Sequence, residues 1–297
     1  MKEKITILTP TYNRAKLLTR AYESLVNQKN KSFIWLIVDD GSTDDTENIV
    51  NNFIKEDKII IQYFRKKNGG KHTALNYGIE KIKTELTMIL DSDDKLTDDA
   101  IEVVLKDYKE YINDDKICGA SYLKADLNRK VLGELYNTDK FISNHIEARI
   151  NARNKSDKEE VFKTKILKKY PFPIFEGEKF LSETLIWNRI AKKYDTLYIN
   201  KIIYLCEYQP DGMSKNWRKL NLKNPQGASL VVNEMSTKEF KFKVRIKNTL
   251  AYIVYSKYGK KNFYEIVKNS NSRLNTMILY IPASILTIIY KKKYKSI

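Results

Sequence analysis

The acids of Asp91-Ser92-Asp93-Asp94 are the residues of this chain whose types and spacing point most directly to chemistry. Three carboxylates within four residues repel one another unless a cation holds them together. Oxygen ligands suit a hard divalent ion, which keeps one or two carboxylates and completes its shell with water and phosphate. The cluster therefore predicts a Mn²⁺ or Mg²⁺ site at Asp91, Asp93 and Asp94. The alternative is a solvated acidic loop.

Three more polar clusters follow short apolar runs earlier in the chain. They are Thr9-Pro-Thr-Tyr-Asn-Arg14, Asp39-Asp-Gly-Ser-Thr-Asp44 and Asn68-Gly-Gly-Lys-His72. Taken singly, each is typical of a turn or a helix cap. Ligands of open α/β sheets bind outside the carboxyl ends of the strands, so clusters at four strand ends predict one shared site. A diphosphate bound there would share its oxygens with the cation, and Lys71 would add a positive charge.

The elements that must position these clusters alternate regularly over the first 125 residues. The predicted strands are Ile5–Leu8, Phe33–Val38, Ile59–Phe64, Leu86–Leu90 and Ile117–Leu123. The predicted helices are Ala15–Gln28, a helix capped by Ser42 or Asp44 that continues through Phe53, Thr73–Lys83 and Asp98–Tyr111. Repeated strand–helix alternation favours right-handed crossovers. We therefore predict an α/β fold, with a mostly parallel sheet and helices on both faces.

The pattern is less regular beyond residue 125. The segment Asp126–Ser156 mixes polar residues with short apolar stretches and gives no assignment. Lys158–Tyr170 predicts a helix, because it ends at a proline that stops helices. Ser182–Tyr194 predicts a helix with one buried face, and Thr196–Tyr208 predicts a strand.

Two other phosphate-binding motifs do not fit the sequence. A P-loop needs glycine five residues before Gly70, where Arg65 stands, and Lys71 is followed by His72 rather than by Ser or Thr. The Gly-x-Gly-x-x-Gly fingerprint of dinucleotide-binding folds is missing after the first strand. Neither an ATPase-type nor a dinucleotide-type phosphate site is therefore expected.

The four clusters, in this order, resemble the donor-binding half of family 2 glycosyltransferases over roughly residues 4–125. This resemblance implies a GT-A fold, in which Thr9, Tyr12 and Asp39 or Asp40 line a uridine pocket. It also implies that Asp91, Asp93 and Asp94 lie at the metal. The full set of predicted donor-binding residues is Thr9, Tyr12, Arg14, Asp39, Asp40, Asn68, Lys71, Asp91 and Ser92.

The segment from Glu176 to Glu183 resembles the acceptor side of the same family, where two adjacent acids precede a helix. The resemblance implies that Glu183 is the catalytic base, although Ser182 replaces the usual first acid. Glu178 is the fallback, and the alternative is that Glu183 only stabilises the first turn of a helix. Asp211-Gly-Met-Ser214 resembles a loop that folds over the donor diphosphate, and Trp187 is expected in the core.

The resemblance predicts an inverting glycosyltransferase that moves a sugar from a nucleotide diphosphate, UDP as first choice, to a glycan or lipid-linked acceptor in bacterial surface-polysaccharide synthesis. Residues 1–125 would bind the donor, 126–215 the acceptor, and 216–297 would form a basic helical extension. One alternative is a sugar-phosphate nucleotidyltransferase, which usually has a glycine-rich, arginine-containing loop near the N-terminus. The other is an inactive glycan- or nucleotide-binding module.

The net charge of +17 is concentrated at the C-terminal end. From residue 238 onward, 14 Lys and Arg face two acids, so this region carries +12. Within it, Leu274–Tyr290 is an apolar stretch that contains Pro282, and Lys291–Lys295 follows. An interrupted stretch of this length predicts attachment to an anionic membrane surface rather than a span. The alternative is an apolar helix docked on the domain, and no nucleic-acid partner is expected.

The remaining expectations concern the compartment. Only two cysteines occur, Cys118 and Cys206, and no metal-type spacing surrounds them, so both are expected as reduced thiols. The first residues, Met1 to Lys4, run directly into an apolar run too short for a signal peptide. We therefore expect a cytoplasmic protein that lies peripherally at the inner face of the membrane.

Overall fold

The computed structural model describes residues 3–154, 157–207 and 213–294, and for 213–215 it describes the backbone alone. The strands of this part form one sheet. They are β1 Ile5–Thr11, β2 Phe33–Asp39, β3 Ile61–Arg65, β4 Leu86–Ile89, β5 Lys95–Leu96, β6 Ile117–Ala125, β7 Lys140–Ser143, β8 Lys158–Lys163 and β9 Asp195–Leu205.

The strand order is β3-β2-β1-β4-β8-β6-β9-β5, and β7 also pairs with β9. The pairs β3–β2, β2–β1 and β1–β4 are parallel, and so is β6–β9. Strand β8 lies antiparallel between β4 and β6. The sheet is therefore parallel where the four polar clusters lie and mixed beyond β4.

The helices cover both faces of this sheet and also make up the C-terminal region of the chain. They are α1 Ala15–Val26, α2 Thr46–Glu56, α3 Lys71–Lys81, α4 Ala100–Tyr111, a π-helix Ile146–Asn151, α5 Thr164–Leu167, α6 Thr184–Ala191, α7 Met213–Lys223, α8 Pro225–Glu234, α9 Phe242–Tyr258, α10 Phe263–Lys268 and α11 Arg273–Lys293.

The core is divided by the sheet. On one face, α1, α2 and α4 pack on the odd-numbered apolar residues of β1 and β2, such as Ile7 and Trp35. On the other face, α3 and α6 pack on Leu8 and Leu36. This alternation follows from the two-residue period of a strand, which sends successive side chains to opposite faces. The α/β fold with helices on both faces is confirmed.

The strands and helices predicted before residue 125 are all present, with bounds within three residues of those expected. The predicted helix at Lys158–Tyr170 is wrong. Its first six residues form β8, and only the short helix α5 follows. A proline at the end of a segment does not decide whether the segment is helix or strand: Lys158, Glu159 and Glu160 lie within the sheet, where pairing with β6 outweighs the local preference.

The C-terminal helices pack against one another around a separate small core that includes Tyr252, Ile253 and Ala283. Helix α11 runs through Pro282 without a break, contrary to the expected interruption. Packing of α11 along α9 holds the two turns around the proline together. Elsewhere, Cys118 and Cys206 are both buried and unpaired, as expected for reduced thiols.

Candidate active site

Asp39 ends β2 and is completely buried. One carboxylate oxygen accepts a hydrogen bond from the Ser42 amide at 2.7 Å, and the other accepts one from the Tyr63 hydroxyl at 2.8 Å. Burial raises the pKa of Tyr63, and the hydrogen bond to Asp39 raises it further. Both carboxylate oxygens of Asp39 are therefore engaged within the protein, and the residue shapes the turn after β2.

Asp40 holds the Asn68-Gly69-Gly70 loop in place. Its carboxylate accepts hydrogen bonds from the Gly70 amide and from Lys66 Nζ, both at 2.7 Å, and its carbonyl accepts one from Asn68 Nδ2 at 2.9 Å. Gly70 has φ +94°, and a Cβ there would lie 2.0 Å from the Lys179 carbonyl oxygen. Only glycine lets this loop approach the segment that contains Lys179 so closely.

The predicted uridine-pocket residues of the first cluster differ in exposure. Thr9 is fully buried, and its hydroxyl accepts a hydrogen bond from Trp35 Nε1 at 2.9 Å. Its side chain packs in the core beside Trp35, and the prediction that Thr9 lines the uridine pocket stays a prediction. Tyr12 is 47% exposed at the end of β1 and remains available to a ligand. Arg14, just before α1, lies near Asp93 and partly offsets the effect of burial on the pKa of that acid.

Lys71 joins the two halves of the site. It is the first residue of α3, and its Nζ lies 2.6 Å from Asp91 Oδ1 and 2.9 Å from Glu183 Oε1. All three side chains are about a quarter to a third exposed. Burial alone would raise the pKa of Asp91, but the charge of Lys71 lowers it below its usual value. The acidic cluster after β4 and the acid before α6 are therefore parts of one charged site.

The other two acids of the cluster differ from Asp91 in the direction of their pKa shifts. Burial, then the charge of Asp91, raises the pKa of Asp93 and raises that of Asp94 to about 7. Tyr204 on β9 donates to Asp94 Oδ2 at 2.8 Å, while its hydroxyl accepts from the Asp91 amide at 3.1 Å. Ser92 is buried between them. Tyr204 thus turns Asp94 inward and fixes the turn that presents Asp91 and Asp93.

A divalent cation fits part of this set. Among the described residues, no three His, Cys, Asp or Glu side chains converge on a point that could hold an ion, so the predicted three-acid site is not formed. The reason is that Tyr204 holds Asp94. Mg²⁺ and Mn²⁺ commonly take one or two carboxylates and leave the other positions to phosphate and water. Asp93 and Asp91 suit that role, because burial and then the charge of Asp91 raise the pKa of Asp93, and a bound cation would offset both effects.

The two candidate bases are clearly distinguished. Glu183 precedes α6 without capping it, and its side chain faces Lys71 instead. Ser182, in place of the family's usual acid, accepts a hydrogen bond from the Thr184 amide. Glu178 is buried and accepts from the amides of Gln226 and Gly227 at 2.7 and 2.8 Å, so it caps α8. This structural role argues against the fallback.

Beyond Asp91, the site continues into a region that the sequence did not reveal. Lys124 of β6 pairs with Glu159 of β8 at 3.1 Å, and Arg149 of the π-helix pairs with Glu160 at 3.3 Å. These side chains, with Lys158, line a cavity of about 150 Å³ that also borders Lys71, Asp91 and Glu183. Trp187, expected in the core, packs on Phe162 with ring centroids 4.5 Å apart and also borders this cavity.

These cavity residues were missed because β8 was predicted as a helix and because Asp126–Ser156 was unassigned. One signal was present: β8 carries Lys158, Glu159 and Glu160 next to a strongly apolar Val-Phe pair. Charges inside a β-rich run are typical of buried pairs or functional sites. The motif Asp211–Ser214, predicted to cover the diphosphate, lies outside the described residues, apart from the backbone of 213 and 214.

The model of the family described as glycosyl transferase family 2 matches residues 6–170, which is more than half of the chain. This match covers all four clusters and β8. The chain therefore belongs to glycosyl transferase family 2.

Relatives support the same family. An uncharacterized glycosyltransferase of Rickettsia bellii is 36% identical over 48% of this chain and 20% of its own length. A GalNAc(5)-diNAcBac-PP-undecaprenol beta-1,3-glucosyltransferase of Campylobacter jejuni is 28% identical over 96% of this chain and 93% of its own length. The chain thus spans about a fifth of the Rickettsia bellii relative and nearly all of the Campylobacter one.

Solved structures support the fold. S. aureus TarS 1–349 in complex with UDP-GlcNAc is similar with a TM-score of 0.61 at 17% identity, over 98% of this chain and 92% of that one. The mannosyltransferase PcManGT from Pyrobaculum calidifontis, in complex with GDP-Man and Mn²⁺, has a TM-score of 0.59 at 16% identity, over 97% and 84%. At these identities the likeness establishes a GT-A-type fold, as expected.

Proposed function

We propose that this chain transfers a sugar from a nucleotide diphosphate, with UDP as first choice, to a glycan or lipid-linked acceptor. The observation that carries the proposal is the contact of Lys71 with both Asp91 and Glu183. This contact joins the predicted diphosphate end of the site to the predicted base. Family membership supports this reaction class, and the name of the Campylobacter relative supports a polyprenyl-linked acceptor.

The chemistry is a single displacement with inversion. Glu183 accepts the proton of an acceptor hydroxyl, whose oxygen bonds to the anomeric carbon as the bond from that carbon to the diphosphate oxygen breaks. The electron pair of the broken bond leaves with the nucleoside diphosphate. Lys71 lies within reach of both ends, so it stabilises charge on the leaving diphosphate when Glu183 becomes neutral.

Asp93 and Asp91 would hold a divalent cation, Mn²⁺ or Mg²⁺, which would supply positive charge for the diphosphate oxygens. The Mn²⁺ in the mannosyltransferase of the same fold supports this assignment. In this chain, Tyr204 and Asp94 orient the turn that presents the two ligands, and Lys71 limits the repulsion between them and the diphosphate.

The sequence divides into three functional parts in this proposal. Residues 1–125 bind the donor, with Tyr12, Arg14 and Asn68 at the nucleotide end and Asp39 and Asp40 shaping the loops. Residues 126–215 bind the acceptor and supply the base. Residues 216–297 form the basic helical extension.

The extension places the enzyme on an anionic membrane surface. One side of α11 docks on α9 through residues such as Ala283, which is fully buried. The other side presents Leu274, Ile278, Ile281, Ile285 and Ile288, all more than half exposed and spaced for one stripe. A soluble protein gains nothing from such a stripe, whereas a lipid surface would bury it. In this proposal, one face of α11 docks on α9 and the other face contacts the membrane.

Helix α11 is also the one helix of the described residues long and apolar enough to cross a membrane, by length and composition alone. A helix held along α9 on one side is better suited to lie in the surface. The exposed lysines Lys291, Lys292 and Lys293 at its end would contact anionic headgroups. This arrangement corresponds to a peripheral protein at the cytoplasmic face, near a lipid-linked acceptor.

The deciding experiment incubates the purified chain with a panel of UDP- and GDP-sugars, Mn²⁺ and a lipid-linked acceptor extract. Release of nucleoside diphosphate that depends on one nucleotide-sugar supports the proposal. Release of pyrophosphate from a nucleoside triphosphate and a sugar phosphate would identify a nucleotidyltransferase instead. Binding of a nucleotide-sugar without any release, under all acceptor conditions, would identify an inactive binding module.

A further inference from the structure

The cavity beyond Asp91 lies on the opposite side of that acid from the nucleotide-binding clusters. In the sheet order, Asp39 and Asp40 lie at the end of β2, Asp91 follows β4, and the cavity lies over β8 and β6. A nucleotide bound over β1 to β3 would therefore direct its diphosphate to Asp91. The group bonded to that diphosphate would then enter the cavity. Glu183 borders the cavity, so a group inside it would lie next to the base.

The cavity walls suit a neutral ligand with many hydroxyl groups. They hold four cations and five acids, and most of these charges are matched in pairs, such as Arg149 with Glu160 and Lys124 with Glu159. A hydroxyl both donates and accepts hydrogen bonds, so a sugar ring matches such alternating groups without disturbing the charge balance. Trp187 and Ile89 add an apolar part of the wall against which the C–H face of a ring packs.

The size of the cavity favours the transferred sugar over the acceptor. Its volume of about 150 Å³ is below the roughly 300–1,000 Å³ of sites for drug-sized ligands, so it suits a single ring. The donor sugar is joined to the rest of the donor through one bond only, at the anomeric carbon. It can therefore enter a narrow cavity with that bond left at Lys71 and Asp91. An acceptor that continues into a glycan or lipid needs an open approach.

We propose that Arg149 and Glu160, together with Lys158, bind the neutral sugar ring of the donor and select among nucleotide-sugars. The inference rests on the proposed function, and it assigns the selection to β8 and the π-helix rather than to any of the four sequence clusters. Arg149 lies in a π-helix, a rare conformation that often occurs at functional sites. Its ion pair with Glu160 holds both groups in one orientation toward the ring.

The test compares binding of free nucleotides with binding of nucleotide-sugars by calorimetry. The proteins are the parent, Glu160→Gln, Arg149→Lys and the matched control Glu110→Gln. The control alters a half-exposed acid of α4 that pairs with Lys140. The ligands are UDP, GDP and a panel of their hexose derivatives. We expect both cavity variants to bind the free nucleotide within about twofold of the parent. Affinity for the preferred nucleotide-sugar should fall on the order of tenfold or more, as for one lost hydrogen bond to a charged group.

Several results would overturn the inference. Equal losses for nucleotide and nucleotide-sugar would make Glu160 and Arg149 structural only. Unchanged nucleotide-sugar binding with a raised acceptor KM would assign the cavity to the acceptor. Arg149→Lys keeps the ion pair, so it decides the question if thermal melting shows that Glu160→Gln is unfolded. If no nucleotide binds to the parent itself, the proposed function fails, and that failure is distinct from failure of the cavity assignment.

Discussion

The sheet edge and the C-terminal helices both carry many charges, but they arrange them in opposite ways. At the edge, charges are matched at short range: Lys71 lies within 3 Å of Asp91 and Glu183, and Lys66 within 3 Å of Asp40. Among the described residues 238–294, no Lys or Arg forms an ion pair with an acid. The region keeps its excess of positive charge in water.

This difference reflects two uses of charge. Matched charges at low exposure have fixed positions, which is what a reaction centre requires of its base and of its ligands. Unmatched charges in water have little fixed geometry but produce a long-range potential that attracts an anionic surface. Single substitutions should therefore have large effects at the edge and small, additive effects on α11.

The largest effect is expected from Glu183→Gln. The change keeps the shape of the side chain but removes its basicity, so the transfer rate should fall on the order of 10²–10⁴ while donor affinity is retained. Glu178→Gln is the matched comparison and should alter thermal stability, because it weakens the cap of α8. Normal transfer by Glu183→Gln, with loss of transfer in Glu178→Gln, would reverse the assignment of the base.

Asp93→Asn and removal of the cation should have the next largest effect. Either change removes electrostatic stabilisation of the diphosphate, so transfer should fall by about 10²–10³ with the fold intact. EDTA should reproduce this loss in the parent, and added Mn²⁺ or Mg²⁺ should restore the activity. Undiminished transfer in excess chelator would rule out the cation site.

Lys71→Met tests the two ion pairs of Lys71 through the free energy of unfolding. Loss of the cation leaves Asp91 and Glu183 side by side, and we expect a cost of about 1–2 kcal/mol, discounted for the partial exposure of the pair. Because Lys71 lowers the pKa of Asp91, its stabilisation is present at neutral pH and is lost as the pH falls through that depressed pKa. Denaturant unfolding of parent and variant should therefore converge in acid. A constant difference at all pH values would contradict an ionic origin.

On α11, Ile281→Ser with Ile285→Ser should weaken binding to anionic vesicles by about tenfold per residue. At roughly 25 cal/mol per Å², each exposed isoleucine contributes about 1–1.5 kcal/mol when lipid buries it. The control is Ile54→Ser with Ile60→Ser, which removes two exposed isoleucines far along the chain. Donor hydrolysis should not change in either variant. Equal vesicle binding by both double variants would contradict the assignment of this face.

Salt should have the smallest effect on the same interaction. Each lysine near an anionic leaflet contributes about 1 kcal/mol, and ions screen this contribution over about 10 Å at 0.1 M. Raising the salt concentration should therefore weaken vesicle sedimentation only in part, because burial of the apolar stripe is not screened. Complete release by salt would indicate purely electrostatic attachment, and resistance of the protein to alkaline extraction would indicate a membrane span.

The fold of the first 125 residues could be predicted from the sequence. Strands such as Phe33–Val38 and helices such as Ala15–Gln28 are marked by local signals, namely continuous apolar runs and helical periodicity. The four polar clusters mark strand ends in the same local way. Because parallel strands present their carboxyl ends at one edge, this information was enough to place Asp40 and Asp91 at the same edge of the sheet.

Which side chains meet depends instead on the tertiary structure. Lys71 contacts Glu183 across 112 positions of sequence, and Tyr204 reaches Asp94 across 110. Thr9 shows the same dependence, since its role in the core depends on Trp35 of the neighbouring strand. Such contacts depend on how strands are ordered in the sheet, and local periodicity contains no information about that order.

Strand β8 is the clearest case. The proline after Tyr170 favoured a helix before it, but a proline marks only the end of a segment and not whether that segment is helix or strand. In the sheet, β8 is inserted between β4 and β6, where Glu159 finds Lys124 and Glu160 finds Arg149. Likewise, the sequence shows that α11 is apolar. Packing against α9 determines which of its faces is docked and which is exposed. Burial of a charge or an apolar face depends on its partner, and the fold supplies the partner.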